Sequence, residues 1–204
     1  MKKQIVIATR NNNKVKEINS IFAEIDKNCE LELLSLNDIK DLPKDFDPEE
    51  TGTTYEENAI LKAKEYGDRI GKIVLADDSG LNVDAMDGRP GIHSARYCDN
   101  DWKRGCEMII DELDGAEDEK RKANYTCVMA IYDYKNDKLK ICEGLSYGKI
   151  LKELKGEGGF GYDPIFYDEK FKMTYAEMTQ AQKNKISHRG IALVKAYEIL
   201  KNEF

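Results

Sequence analysis

The sequence predicts an α/β fold, a mixed β-sheet with helices on its faces, and three observations carry that prediction. Short apolar, β-branched runs alternate with segments of helical periodicity through the first half of the chain. Polar turns rather than long linkers join them. The second half then opens with two long alternating runs about a turn, the pattern of a hairpin. At 204 residues and 41% apolar content the chain reads as a single domain, 1–204, long enough to bury a substantial core.

Each element follows from local pattern. Gln4–Ala8 (QIVIA) is an apolar strand candidate, followed by a polar turn, Thr9–Asn13. In Lys14–Asp26, Val15, Ile18, Phe22 and Ile25 recur at helical spacing. LELLSL at 31–36 reads as a second strand, and the acidic stretch Asp38–Glu50, with two prolines, as irregular chain. Thr54 with Glu57 three residues on forms a capping-box signature. It opens a helix reaching about Ile70, with Ala59, Ala63 and Ile70 on the apolar side. KIVLA (72–76) predicts a buried strand that stops at a turn, Asp77-Asp78-Ser79-Gly80. Residues 82–97, with Gly88, Pro90 and Gly91, predict a loop, and Trp102–Leu113 a helix. Tyr125–Tyr134 and Lys138–Ser146 alternate about Lys135-Asn136-Asp137, a hairpin. Gly156–Gly161 is a glycine-rich loop before the strand-like PIFY, and Ser187 can cap a last helix carrying Ile191, Val194 and Ile199.

Composition narrows the function. A net charge of −7 argues against a broad basic face for nucleic acid. It permits a phosphorylated small molecule if a few cations converge locally and a metal neutralises the rest. The five cysteines contain no CxxC pair and there are only two histidines, His93 and His188, which argues against zinc and for reduced thiols in a reducing compartment. QIVIA is too short for a signal peptide or a membrane span, so a cytoplasmic protein with no membrane partner is expected.

Five segments could carry chemistry. Thr9-Arg10-Asn11-Asn12-Asn13-Lys14 lies between a strand and a helix start, where N–H groups and the helix dipole can hold phosphate; it also reads as a polar loop with Asn13 as N-cap. Asp77-Asp78-Ser79-Gly80 could bind a hard cation or accept a proton from water, or be ordinary turn punctuation. Asn58 and Lys62, four apart, share one helical face, while Glu49 and Glu50 precede that helix. In Gly156–Pro164, Phe160 among glycines can lie against a planar ligand with Asp163 as acceptor. Lys183 and Ser187-His188-Arg189 place cations at a helix start, where the dipole disfavours them unless an anion or carbonyl is near.

Together these segments resemble the inosine triphosphate pyrophosphatase family, the Ham1-like non-canonical purine nucleoside triphosphatases. The resemblance rests on ATRNNNKVKE, TGTTYEENAILKA, LADDSGLNVDAMDGRPGIHSARY, GEGGFGYDPIF and KNKISHRGIAL, spread from residue 8 to 193. It implies an elongated two-lobed α/β fold with a central mixed sheet, the nucleotide in the cleft between lobes, a homodimer, and Mg²⁺ as cofactor. Carried over by position, Thr9, Arg10, Asn11, Asn12, Asn13 and Lys14 are expected on the phosphate side, with Lys62 and Lys183. Asp78 is expected to activate water and contact metal, with Glu49 as second ligand and Glu50 and Glu57 left open as alternatives to it. Ser79 would touch substrate; Phe160, Gly161, Tyr162 and Asp163 would form the base platform; His188 and Arg189 would read the base edge. The reaction implied is attack of water on the α-phosphorus of ITP, dITP or XTP with loss of pyrophosphate. Two alternatives stay open: a Maf-like pyrophosphatase acting on other modified nucleotides, and a non-catalytic nucleotide-binding protein.

Overall fold

The computed structural model describes residues 2–99 and 101–204. Its strands are β1 (Lys3–Ile7), β2 (Leu31–Ser35), β3 (Ile73–Val83), β4 (Lys122–Asp133), β5 (Lys138–Ile150), β6 (Phe166–Asp168) and β7 (Met173–Thr174). They form one sheet in the order β2-β1-β3-β4-β5-β6-β7. The helices are α1 (Asn12–Ile25), α2 (Tyr55–Ile70), α3 (Trp102–Glu112), α4 (Gln180–Ile186) and α5 (His188–Glu203). β1 pairs in parallel with β2 and β3, whereas β6 pairs antiparallel with β5 and β7, so the sheet is mixed, as the sequence predicts. β4 and β5 are the expected hairpin, closed by a turn at Tyr134–Asn136 with Asp137 left-handed at φ 46°.

The chain divides into two compact units. The first comprises 1–78, 127–144 and 189–204; the second comprises 79–126 and 145–188. In the first unit, strand alternation sorts the core into two layers. Ile5, Ile7, Leu75, Cys127, Met129 and Ile131 pack with Ile18 and Phe22 of α1 and with Leu193 and Ala196 of α5. Their sequence neighbours Val6, Val74, Ala76, Val128, Ala130 and Tyr132 pack instead with Ala59, Ala63 and Tyr66 of α2. Gly67 of α2 lies so close to the Tyr132 ring that a Cβ would meet its Cδ1 at 2.5 Å. In the second unit, Cys106, Ile109 and Leu113 of α3 pack on Leu81, Val83, Tyr125 and Phe166. Arg121 is buried there, donating to the carbonyls of Leu113, Ile150 and Leu151 at 2.7–2.8 Å.

Two expectations change, and two short elements are added. The strand expected to stop at Ala76 runs on to Val83, so Asp77-Asp78-Ser79-Gly80 is strand interior, not turn. Turn-forming residue types are overruled because the strand continues beside β4, its neighbour in the sheet, after the ladder with β1 ends at Leu75. Asn11, not Asn13, caps α1: its Oδ1 accepts from the N–H groups of Asn13 and Lys14. β7 and α4 went unread, being only two and seven residues long.

Candidate active site

Strand alternation also decides what Asp77 and Asp78 can reach. Asp77 shares the parity of Leu75 and meets the α1 and α5 side; Asp78 shares that of Ala76 and meets α2. Lys14 of α1 pairs with Asp77 Oδ2 at 3.0 Å, and Arg189 of α5 reaches the same oxygen at 3.3 Å. The Arg189 guanidinium, 1% exposed, also pairs with Glu17, one turn along α1 from Lys14. On the other side, Asn58 and Lys62 of α2 converge on Asp78. Asn58 Nδ2 donates to Asp78 Oδ2 at 3.2 Å, and Lys62 Nζ stands 3.7 Å from Asp78 Oδ1. Lys62 also donates to the Asp77 carbonyl and to Glu50 Oε1, both at 2.6 Å.

These environments drive the two adjacent carboxyls apart. Burial alone would push Asp77 up, but Lys14, Arg189 and Lys62 outweigh it and hold the carboxyl well below its usual range. Burial pushes Asp78 up, Lys62 and Lys14 oppose it, Glu50 adds to it, and the net shift is upward. Burial would lower the Lys62 ammonium, yet Asp78, Asp77 and Glu50 outweigh it and raise it. The site therefore presents one firmly ionised carboxylate beside one of raised basicity, the pattern that separates a structural charge from a proton acceptor.

The second unit builds a different cluster. Gly159 and Gly161 are left-handed at φ 71° and 66°, and a Cβ on Gly159 would collide with Asp163 Oδ2. That oxygen accepts from the Phe160 N–H at 2.8 Å and from Lys183 Nζ at 2.6 Å. The buried Lys183 ammonium lies 4.9 Å from the centroid of the half-buried Phe160 ring. His188 stacks on Tyr125, ring centroids 4.5 Å apart and planes 12° from parallel.

Several sequence-predicted residues take other places. Lys183, expected at phosphate, pairs with Asp163 and lies over the Phe160 ring. Tyr162, expected in the platform, is 1% exposed, donates to the Ser94 carbonyl at 2.8 Å, and abuts Trp102 edge-on. Apolar contact on α3 draws that ring inward. Asp163 is tied to its own loop, and Arg189 to Glu17 and Asp77. Glu49 is exposed, whereas Glu50 meets Lys62, because burial alternates along residues 46–52. Glu57 accepts from the N–H and hydroxyl of Thr53, a cap. Arg10 donates to the carbonyls of Pro43 and Phe46 at 2.9 and 3.1 Å, bracing the acidic stretch. Thr9 Oγ1 accepts from the Asn11 N–H, Asn12 is exposed, and Ser79 is half-buried next to Asp78. Glu17 was missed; its only sequence signal was its place three residues after Lys14, on the same helical face.

Among the described residues, no three or more His, Cys, Asp or Glu side chains form a preassembled metal cage. The donor set nonetheless fits a hard divalent cation: Asp78 and Glu50 supply oxygens on the same ammonium, and magnesium is commonly held by one or two carboxylates plus substrate phosphates. No helix is long and apolar enough to cross a membrane among the described residues.

The Ham1 family model matches residues 5–199. A dITP/XTP pyrophosphatase of Bacillus anthracis is 46% identical, over 96% of this chain and 95% of that one. One from Clostridium perfringens is 46% identical over 98% of both. The solved structure of the Staphylococcus aureus Ham1 protein superposes with a TM-score of 0.84 at 37% identity, covering 99% of this chain and 100% of that one. A Coxiella burnetii HAM1 protein gives 0.85 at 36% identity, covering 98% of both. With a family match over nearly its whole length and relatives 46% identical along almost all of theirs, this chain belongs to the Ham1 family.

Proposed function

We propose that the protein hydrolyses non-canonical purine nucleoside triphosphates, ITP, dITP and XTP, to the monophosphate and pyrophosphate. The observation that carries this reading is the division of Asp77 and Asp78 by strand alternation, each among lysines, next to Glu50. Lys14 and Lys62 offset the triphosphate charge that a chain of net charge −7 would otherwise repel. Asp78, with its raised basicity, takes the proton as the water oxygen bonds to the α-phosphorus. The bond to the bridging oxygen breaks and pyrophosphate leaves. A divalent cation, which we assign as Mg²⁺, would be held by Asp78 and Glu50 and supplies further neutralisation of the phosphates. Thr9, Asn11, Asn12, Asn13 and Ser79 line the phosphate side as neutral donors.

Base recognition is assigned to Phe160 and His188. Phe160 offers a flat face and His188 a donor for the 6-carbonyl of hypoxanthine or xanthine, which adenine lacks. Arg189, held by Glu17 and Asp77, anchors the carboxylates rather than reading the base. We further assign a homodimer and a cytoplasmic location. The test is a screen of ITP, XTP, dITP, GTP and ATP with Mg²⁺ in ¹⁸O-water. Pyrophosphate release with ITP and XTP well above ATP, and label confined to the monophosphate, is expected. Label in pyrophosphate or orthophosphate, or equal rates with ATP, refutes the reading. Sedimentation at micromolar concentration tests the dimer.

A further inference from the structure

The reading of His188 as the base donor leaves open what holds its ring. A histidine side chain turns about two bonds, and a donor that discriminates one carbonyl needs its N–H fixed within about 0.5 Å and 10–20°. His188 is 4% exposed, and its ring lies flat on that of Tyr125, planes 12° apart. Tyr125 in turn lies parallel to Tyr175, 5.9 Å away with planes 6° apart. Phe166 closes the group, tilted on Tyr125 at 4.7 Å and edge-on to Tyr175 at 4.8 Å. The Tyr175 hydroxyl is hydrogen-bonded to Ser146 Oγ. Its ring underlies the Lys183 ammonium at 5.6 Å, the same ammonium that reaches Asp163 and Phe160.

We propose that Tyr125 is a positioning residue for base selection: its ring fixes the plane of His188 and, through Tyr175, supports the Lys183–Asp163 pair beneath Phe160. Tyr125 lies on β4, where strand alternation and the ladder hold its Cα–Cβ direction. Its rigidity is therefore inherited from the sheet, whereas Phe160 and His188 sit on a loop and at a helix start. The block works by shape: offset aromatic faces restrict rotation without competing for the imidazole's hydrogen bonds. This rests on the proposed base recognition by His188 and deepens it.

The test compares Tyr125→Leu, which removes the ring, with Tyr125→Phe, which keeps it. For wild type, Tyr125→Leu and Tyr125→Phe, kcat and KM are measured with ITP and with ATP. In parallel, the ring C–H resonances of His188 are followed by NMR, assigned against His93→Gln because the chain has only two histidines. The expected result is an upfield ring-current shift of His188 in wild type and Tyr125→Phe, lost in Tyr125→Leu. The ITP-over-ATP preference in kcat/KM should fall about tenfold in Tyr125→Leu and return in Tyr125→Phe, on the scale of one aromatic pair. Loss of rate equal for both substrates would make Tyr125 merely structural and overturn the proposal, as would Tyr125→Phe behaving like Tyr125→Leu. If Tyr125→Leu does not fold, Tyr125→Ile takes its place in both measurements, and an unshifted His188 in wild type or an unchanged ITP preference in Tyr125→Ile overturns the proposal. A wild type that releases no pyrophosphate sinks the functional reading and this proposal together; a wild type that prefers ITP while Tyr125→Leu keeps the preference sinks only the proposal.

Discussion

Replacing Asp78 and Asp77 by Asn, one at a time, should produce opposite phenotypes. Asp78 carries a carboxyl pushed up by burial, so the folded state gains little from its charge and Asp78→Asn should melt near wild type. Turnover should fall ~10²–10⁴-fold with the loss of a proton acceptor. Asp77 is a counter-charge of Lys14 and of fully buried Arg189, and Asp77→Asn breaks both pairs, leaving Arg189 to Glu17 alone. Breaking a buried pair costs about 3–5 kcal/mol, visible in urea denaturation. Turnover of Asp78→Asn within a few-fold of wild type, or unchanged stability of Asp77→Asn, would contradict the assignment. Sequence made the residue types legible here but not their partners. Asn58 and Lys62 could be placed on one face from their spacing, and both do meet Asp78. Glu17 and Glu50 could not, since what selects them is which face of β3 each neighbour covers.

At the scale of elements, two joints make testable demands. Where α1 gives way to β2, Asp26 accepts from the N–H groups of Glu30 and Leu31 at 2.9 and 3.0 Å and from the Tyr197 hydroxyl of α5 at 3.2 Å. Burial would raise its carboxyl, but the Leu31 and Glu30 amides and Tyr197 outweigh it, so the folded value is lowered. A lowered carboxyl stabilises above the unfolded value, near 4, and loses that contribution as pH falls through the folded value. Asp26→Asn should therefore melt below wild type at pH 7, by about 1–3 kcal/mol, with the gap closing towards pH 2. A gap independent of pH would assign the effect to shape instead of charge. The second joint is the glycine loop before β6. Gly159→Ala adds a Cβ against Asp163 Oδ2 at a left-handed φ of 71°, so the Phe160 turn must open. KM for ITP should rise about tenfold with little loss of thermal stability, since the loop is largely exposed. An unchanged KM would detach Phe160 from substrate.

For the molecule as a whole, the order of elements was more legible than their grouping. β1, α1, β2, α2 and the β4–β5 hairpin announce themselves through period, caps and turn residues, which are local signals. The division into units is not local: the first unit gathers three stretches, with α5 returning to pack Leu193 and Ala196 beside Ile18 of α1. No stretch of sequence marks such a return, because it is fixed by which apolar faces remain uncovered once the sheet forms. The continuation of β3 through Asp77-Asp78-Ser79 belongs to the same class. It has a consequence for solvent exchange. Functional residues usually sit on loops whose amide protons trade with water through small, frequent openings. The amides of Asp77, Asp78 and Ser79 instead lie inside an eleven-residue strand, just past the ladder with β1, which ends at Leu75, and next to β4 in the sheet. In deuterium they should exchange late, alongside Val74 and Leu75 and near the rate of global unfolding, while that of exposed Glu157 exchanges within the earliest time points. Exchange of the Asp78 amide as fast as that of the glycine loop would mean that this stretch of strand opens on its own; slow exchange would make the candidate catalytic residue a reporter of how often the entire protein comes apart.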